Sequence, residues 1–240
     1  MQYQIFVIGA GGTGTYFLKE FSRFLSGNRR AKNQIAGMCI FDGDEVEAKN
    51  LARQAFDEED IGRNKAVAMA EILNASFDLE GIEYEAYACY LNSLEQIKSR
   101  SGTVPVIISC VDNHGCRLLL EEYFNRQGSC IYFDSANEFD TGEVVYSIKS
   151  NGVVSGPVRS YFFPHIKEGD VRTREELSCE ELNNVAPQHI FTNMTAGNLL
   201  CSGMANLLEG NLTPGVVFFN SLSYSMNFKP WKGGEVREEA

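Results

Sequence analysis

Tyr3-Gln4-Ile5-Phe6-Val7-Ile8-Gly9-Ala10-Gly11-Gly12-Thr13-Gly14 joins an apolar run to a glycine-rich turn near the start of the chain. Gln4–Ile8 is an apolar run of strand length that ends at the glycines. From Thr13 to Leu25 the apolar residues Tyr16, Phe17, Phe21, Phe24 and Leu25 recur at helical spacing. Gly9, Gly11 and Gly14 fit the G-x-G-x-x-G pattern between a strand and a helix. Gly9 would permit the tight turn, Gly11 would let backbone approach a phosphate, and Gly14 would let helix and strand pack closely. Gly12 and Thr13 open the helix, whose free N–H groups attract an anion. This is a strand–turn–helix built for a nucleotide.

Outward from it, strands and helices alternate. Ile35–Phe41 reads as a second buried strand, Lys65–Leu73 as a helix, and Tyr84–Tyr90 as a third strand. Val104–Ser109 follows, then a helix at Gly115–Arg126 and a strand at Ser129–Asp134. Such alternation predicts right-handed crossovers and an α/β, Rossmann-like, mainly parallel sheet with helices on both faces. Residues 1–150 read as the nucleotide-binding part. After a strand at Glu143–Ile148, Ser150–Pro187 shows little regular pattern and reads as a crossover loop. A helix from His189 to Leu208 and two strands, Gly215–Asn220 and Ser223–Phe228, read as a C-terminal antiparallel hairpin extension. Residues 151–240 thus complete the same domain.

Carboxylates and cations punctuate the first half in a set order. Asp42 ends the second strand, where a carboxylate accepts ribose hydroxyls. It lies 28 residues beyond Gly14 (42 − 14), against ~20 in a dinucleotide fold. Asp44 reads chiefly as a turn former with Gly43. Asn50, Arg53 and Gln54 stand at i, i+3 and i+4, which places them on one face of a helical turn. Arg53 offers a fork for two phosphate oxygens, and Lys65 a point charge at a helix start. Asp112 follows the fourth strand at the sheet edge where ligands bind, fit either to hold Mg²⁺ or to cap the next helix.

Bulk properties narrow the functions. A net charge of −11 argues against a nucleic-acid partner. No apolar run reaches the ~18 residues of a membrane span. Met1 precedes the first strand so closely that no leader peptide is expected. Seven cysteines without a CxxC pair suggest a reducing, cytoplasmic setting and no structural zinc. No histidine has metal-ligand spacing. Gly233-Gly234 is followed by further residues and reads as a linker.

The order of motifs resembles the ThiF/MoeB superfamily, the adenylating domain shared with ubiquitin-activating enzymes. The resemblance rests on the glycine loop, Asp42-Gly43-Asp44-Glu45-Val46, Asn50–Gln54, Asp60–Ala66 and Val111-Asp112-Asn113. The second half is similar to ThiF-type proteins of plasmid PRTRC gene clusters, in Tyr132–Asn137, Thr141–Val145, Ser178-Cys179, Gln188–Asn193 and Gly215–Asn220.

The resemblance implies ATP-dependent adenylation of a carboxylate, often at the C-terminus of a small ubiquitin-like protein or peptide. It implies that Asn50, Arg53 and Lys65 bind ATP phosphates, Asp42 the ribose and Asp112 Mg²⁺. It also implies a homodimer, for which Ala196, Gly197, Ser202, Gly203 and Ala205 permit close helix packing. Those small residues serve packing inside one chain equally well. The chain departs from the family in lacking paired CxxC motifs and an N-terminal arm carrying an arginine. Cys179, in the irregular segment, is the expected acceptor of an activated acyl group, although Glu180 and Glu181 would raise its pKa. Two other readings stay open: a non-catalytic nucleotide-binding subunit, and an NAD- or FAD-dependent oxidoreductase.

Overall fold

The computed structural model describes residues 1–77, 79–168 and 188–233. Its strands are β1 (Gln2–Ile8), β2 (Ile35–Phe41), β3 (Tyr84–Tyr87), β4 (Thr103–Ser109), β5 (Cys130–Asn137), β6 (Thr141–Ser150), β7 (Val153–Gly156), β8 (Gly215–Asn220) and β9 (Ser225–Pro230). The helices are α1 (Gly12–Gly27), α2 (Arg29–Lys32), α3 (Lys65–Ser76), α4 (His114–Arg126), α5 (Arg159–Phe162) and α6 (Ile190–Glu209).

One sheet runs in the order β3-β2-β1-β4-β5-β6-β8-β9, with β7 added beside β6. The β3, β2, β1, β4 and β5 strands pair in parallel. From β5 onward every pairing is antiparallel. The central strands β1, β2 and β4 are buried on both faces, which is why they are almost unbroken apolar runs in the sequence. On one face α1, α3 and α6 share a core with Ile5, Val7, Met38 and Val106. On the other, α4 packs Leu120 and Phe124 against Phe6, Phe41, Ile107 and Tyr132.

The expected elements are all found, with shifted ends. The third strand stops at Tyr87, because Tyr90 turns away to cover Gly43. The stretch from Ser150 to Glu168, expected to be irregular, contains β7, α5 and a 3-10 turn at Pro164–Lys167. Short strands and single turns carry too few residues for a periodic signal. Gly197 and Gly203 of α6 serve packing inside the chain. A Cβ on Gly197 would sit 3.0 Å from Tyr16 Cβ on α1, and one on Gly203 would press on the Tyr146 and Phe133 rings.

Candidate active site

The pocket lies at the turns after β1, β2 and β4, where the strand order switches from β1-β2-β3 on one side to β4-β5 on the other, the switch point at which open α/β sheets hold ligands. Gly9 takes φ +94, and a Cβ there would stand 2.7 Å from the Cys110 carbonyl oxygen. Only glycine fits that contact. A Cβ on Gly14 would collide with the Gly9 carbonyl oxygen, so Gly14 sets the approach of α1 rather than touching the cleft. Gly9, Gly11, Gly12 and Thr13 line the pocket. Gly12 packs on the Asn193 amide of α6.

Asp42 is 8% exposed. Its Oδ2 accepts the Ala10 N–H at 2.6 Å and its Oδ1 the Asp44 N–H at 2.9 Å. The carboxylate therefore staples the glycine turn to the turn after β2, leaving lone pairs facing the cleft. Burial pushes its pKa above the ordinary carboxylate value, and Lys65 partly offsets this. The Asp44 side chain, read from sequence as a turn former, does more. Its Oδ2 pairs with Lys65 Nζ at 3.0 Å, and its Oδ1 accepts the Tyr90 hydroxyl. Lys65 itself lines the pocket at the first position of α3, with Asn64 as its cap.

The expected single face of Asn50, Arg53 and Gln54 is split. Ala48–Asn50 is a 3-10 turn, and its tighter winding rotates Asn50 inward. Asn50 is 2% exposed, its Oδ1 accepts the Glu47 N–H, and it is absent from the pocket wall. Arg53 and Gln54 do line the pocket. Arg53 donates to Gln188 Oε1 at 3.4 Å, and Gln188 Nε2 donates to the Asn137 carbonyl at 3.0 Å. Asp112 stands exposed at the pocket edge. It does not cap α4, because Asn113 Oδ1 accepts the Cys116 N–H. Cys179 lies outside the described residues.

The sequence reading missed Tyr90, Ser135, Asn137 and Gln188, all on the pocket wall. Ser135 and Asn137 were within reach, since they end β5 at the edge of the sheet that binds ligands. It also missed a buried charge cluster behind the wall. Asp134, 0% exposed, takes Arg117 on Oδ1 and Arg159 on Oδ2, each at 2.5 Å. Arg117 also donates to the Val111 carbonyl, one residue before Asp112. Burial raises the Asp134 pKa, but the two guanidiniums win and hold it below the ordinary range. Two thiols on the wall go the other way, Cys110 and Cys116 being pushed up to about 12 by burial.

The wall thus has an apolar part, formed by Ile8, Phe41, Leu91 and Val111, suited to a flat ring. Beside it stand backbone donors, two cations and an exposed carboxylate, suited to phosphates. Mg²⁺ keeps waters and takes one or two carboxylates plus phosphate oxygens rather than an all-protein cage. The described residues hold no group of three His, Cys, Asp or Glu near enough for such a cage. Of the three carboxylates on the wall, Asp42, Asp44 and Asp112, the last is the exposed one and suits the one-carboxylate mode.

Comparison with known proteins agrees with this geometry. The sequence matches the ThiF family over residues 1–226. It is 26% identical over 231 residues to Ubiquitin-like modifier-activating enzyme 5 of Drosophila willistoni, across 92% of this chain and 49% of that protein. To the enzyme of the same name from Oryza sativa subsp. japonica it is 26% identical over 136 residues, 52% of this chain and 30% of that one. The chain spans half or less of the length of these relatives. The fold is shared with E. coli MccB, solved with ATP, at TM-score 0.68 and 16% identity over 97% of this chain and 65% of that one. PaaA superposes at TM-score 0.65 with 15% identity over 95% of this chain and 64% of PaaA. No helix among the described residues is long and apolar enough to cross a membrane.

Proposed function

Because this chain belongs to the ThiF family, we propose that it uses ATP to adenylate a carboxylate, releasing pyrophosphate. The observation that carries the reading is the convergence of the glycine turn, Arg53, Lys65 and Asp112 on one cleft with an apolar slot. An oxidoreductase would leave those three charges without a shared purpose.

In this reading the ribose hydroxyls donate to Asp42. The phosphates lie over the Gly11–Thr13 amides, with Arg53 and Lys65 beside them. A substrate carboxylate oxygen attacks the α-phosphorus, and the bond to the bridging oxygen breaks as pyrophosphate leaves with its electron pair. Arg53 and Lys65 stabilise the charge that grows on the leaving group, and both are fixed beforehand by Gln188 and Asp44. Mg²⁺, held by Asp112, would supply further neutralisation of the phosphates.

The substrate is proposed to be the C-terminus of a small ubiquitin-like protein or peptide. The names of the modifier-activating relatives and the MccB structure solved with AMPCPP and MccA support that class. Cys179 is proposed as the acyl acceptor. In its favour, Cys110 and Cys116 in the cleft are poor nucleophiles at neutral pH. A Cys179→Ala variant that still forms every covalent adduct would remove that part alone.

The reading is tested by calorimetry with ATP, with and without Mg²⁺, beside NAD, for wild type and Lys65→Ala. Magnesium-dependent ATP binding that the variant loses supports it. Binding of NAD alone identifies an oxidoreductase. ATP binding without pyrophosphate release on any carboxylate partner identifies a non-catalytic subunit.

A further inference from the structure

A second concavity shares no lining residue with the nucleotide pocket. It is a groove of about 980 Å³ where the end of α4, the Pro157–Lys167 segment and the end of β9 meet. Its surface is aromatic and aliphatic. Trp231 stands edge-on to Tyr161 with centroids 5.0 Å apart, and Phe162, Val158 and Val154 continue the apolar lining. Tyr161 and Val154 are 38% and 46% exposed, so the apolar surface faces solvent.

The charge around it is opposite to that of the molecule. Among the described residues, Lys167, Lys229 and Lys232 line the groove and no carboxylate does, in a chain of net charge −11. Lys149 adds a fourth ammonium at the rim, donating to the carbonyl of the lining residue Asn125 at 2.7 Å. The Trp231 end is held by its backbone, whose N–H donates to the Pro214 carbonyl at 2.8 Å.

We propose that this groove docks an acidic peptide segment of a partner protein, with an aromatic or aliphatic side chain of that segment seated against the joined Tyr161 and Trp231 rings. Lysines at the rim supply charge selection and steering, and the apolar floor supplies the contact area. The −11 net charge disfavours a long polyanion such as single-stranded nucleic acid, which needs an extended basic track. A short acidic segment needs only the local lysines.

Trp231 is the only tryptophan of the chain, so its fluorescence reads this groove directly and no nucleotide is required. Three probe peptides of about ten residues are titrated to ~1 mM: Glu with Phe and Leu, Glu with Gly and Ser, and Lys with Phe and Leu. The first is expected to saturate a change in Trp231 emission, with affinity falling as salt rises. A Lys167→Glu/Lys229→Glu variant is expected to lose roughly tenfold in that affinity while it stays folded by circular dichroism and its ATP binding stays as in wild type. Tyr161→Ala is expected to weaken the same peptide. A response to none of the three, equal binding of the basic peptide, or tighter binding of oligo-dT overturns the proposal. So does peptide binding that the lysine reversal leaves unchanged. Failure of ATP to bind in the other site would overturn the adenylation reading and leave this result standing.

Discussion

Lys65 Nζ lies 3.0 Å from Asp44 Oδ2, and the lysine side chain is 7% exposed. The cation that should meet a phosphate is thus held at the cleft wall by a carboxylate 21 residues earlier in the chain, and Tyr90 anchors that carboxylate from its other oxygen. Such a pair pre-orients the ammonium, and it makes each partner depend on the other.

Asp44→Ala removes the carboxylate that pairs directly with the Lys65 ammonium and leaves it only the more distant field of Asp42. We expect a loss of about 1–3 kcal/mol of folding stability, read by urea denaturation, together with weaker ATP binding. Tyr90→Phe keeps the ring over Gly43 and removes only the hydroxyl, so about 1 kcal/mol is expected. Equal losses for the two variants would show that the ion pair adds nothing beyond the hydrogen bond.

The glycines separate folding from binding. A Cβ on Gly14 meets the backbone oxygen of Gly9, which cannot move aside, so Gly14→Ala is expected to destabilise by about 1–3 kcal/mol or more. A Cβ on Gly11 has nothing nearer than Gln54 Nε2 at 3.9 Å. Gly11→Ala should therefore fold like wild type and lose ATP affinity by roughly tenfold or more, because the methyl occupies space a phosphate needs. Thermal melts beside calorimetry check both; a Gly11→Ala protein with full affinity contradicts the phosphate cradle.

The charge cluster behind the wall is a larger liability. Removing Arg117 leaves Asp134 buried with half its charge partners, and Arg117→Met is expected to lose about 3–5 kcal/mol. The double variant Arg117→Met/Asp134→Asn should recover part of it. Asp134 has a lowered pKa in the folded chain, so its contribution is fully present above the ordinary carboxylate pKa. It is lost as pH falls through the folded value. Acid unfolding of wild type should be steeper than that of the double variant.

Glu121 gives the opposite slope. It is 4% exposed and accepts the Ser160 N–H at 2.7 Å, and burial raises its pKa above the ordinary carboxylate value. Between the unfolded and folded values the native state binds more protons, so stability falls as pH rises through that window. Glu121→Gln keeps an acceptor for Ser160 and has no charge to bury. It is expected to be more stable than wild type at neutral pH, with the difference fading as pH drops below the ordinary carboxylate value. A difference independent of pH in urea titrations would refute the assignment.

The architecture and the order of the site motifs are legible in the residue pattern of the chain. Gln4–Ile8 and Ile35–Phe41 are buried on both faces and so had to be apolar throughout, which any reader of the chain can see. Gly9 and Gly14 meet backbone that no side chain can approach, which leaves a mark in residue type. Lys65 and Asp112 stand near a helix start and a strand end, Arg53 and Gln54 in the turn after Ala48–Asn50, and all four line the wall.

The pairings inside the site come from the folded arrangement and leave no local pattern in the chain. Gln188 meets Arg53 across 135 residues, Tyr90 meets Asp44 across 46, and Arg117 meets Asp134 across 17. Hydrogen bonds of that kind depend on strand order and on which way a side chain leaves its turn, and neither has a local periodicity to betray it. Asn50 shows the same limit over a shorter distance. Its spacing from Arg53 suggested a shared face, and a single 3-10 turn removed it from the wall.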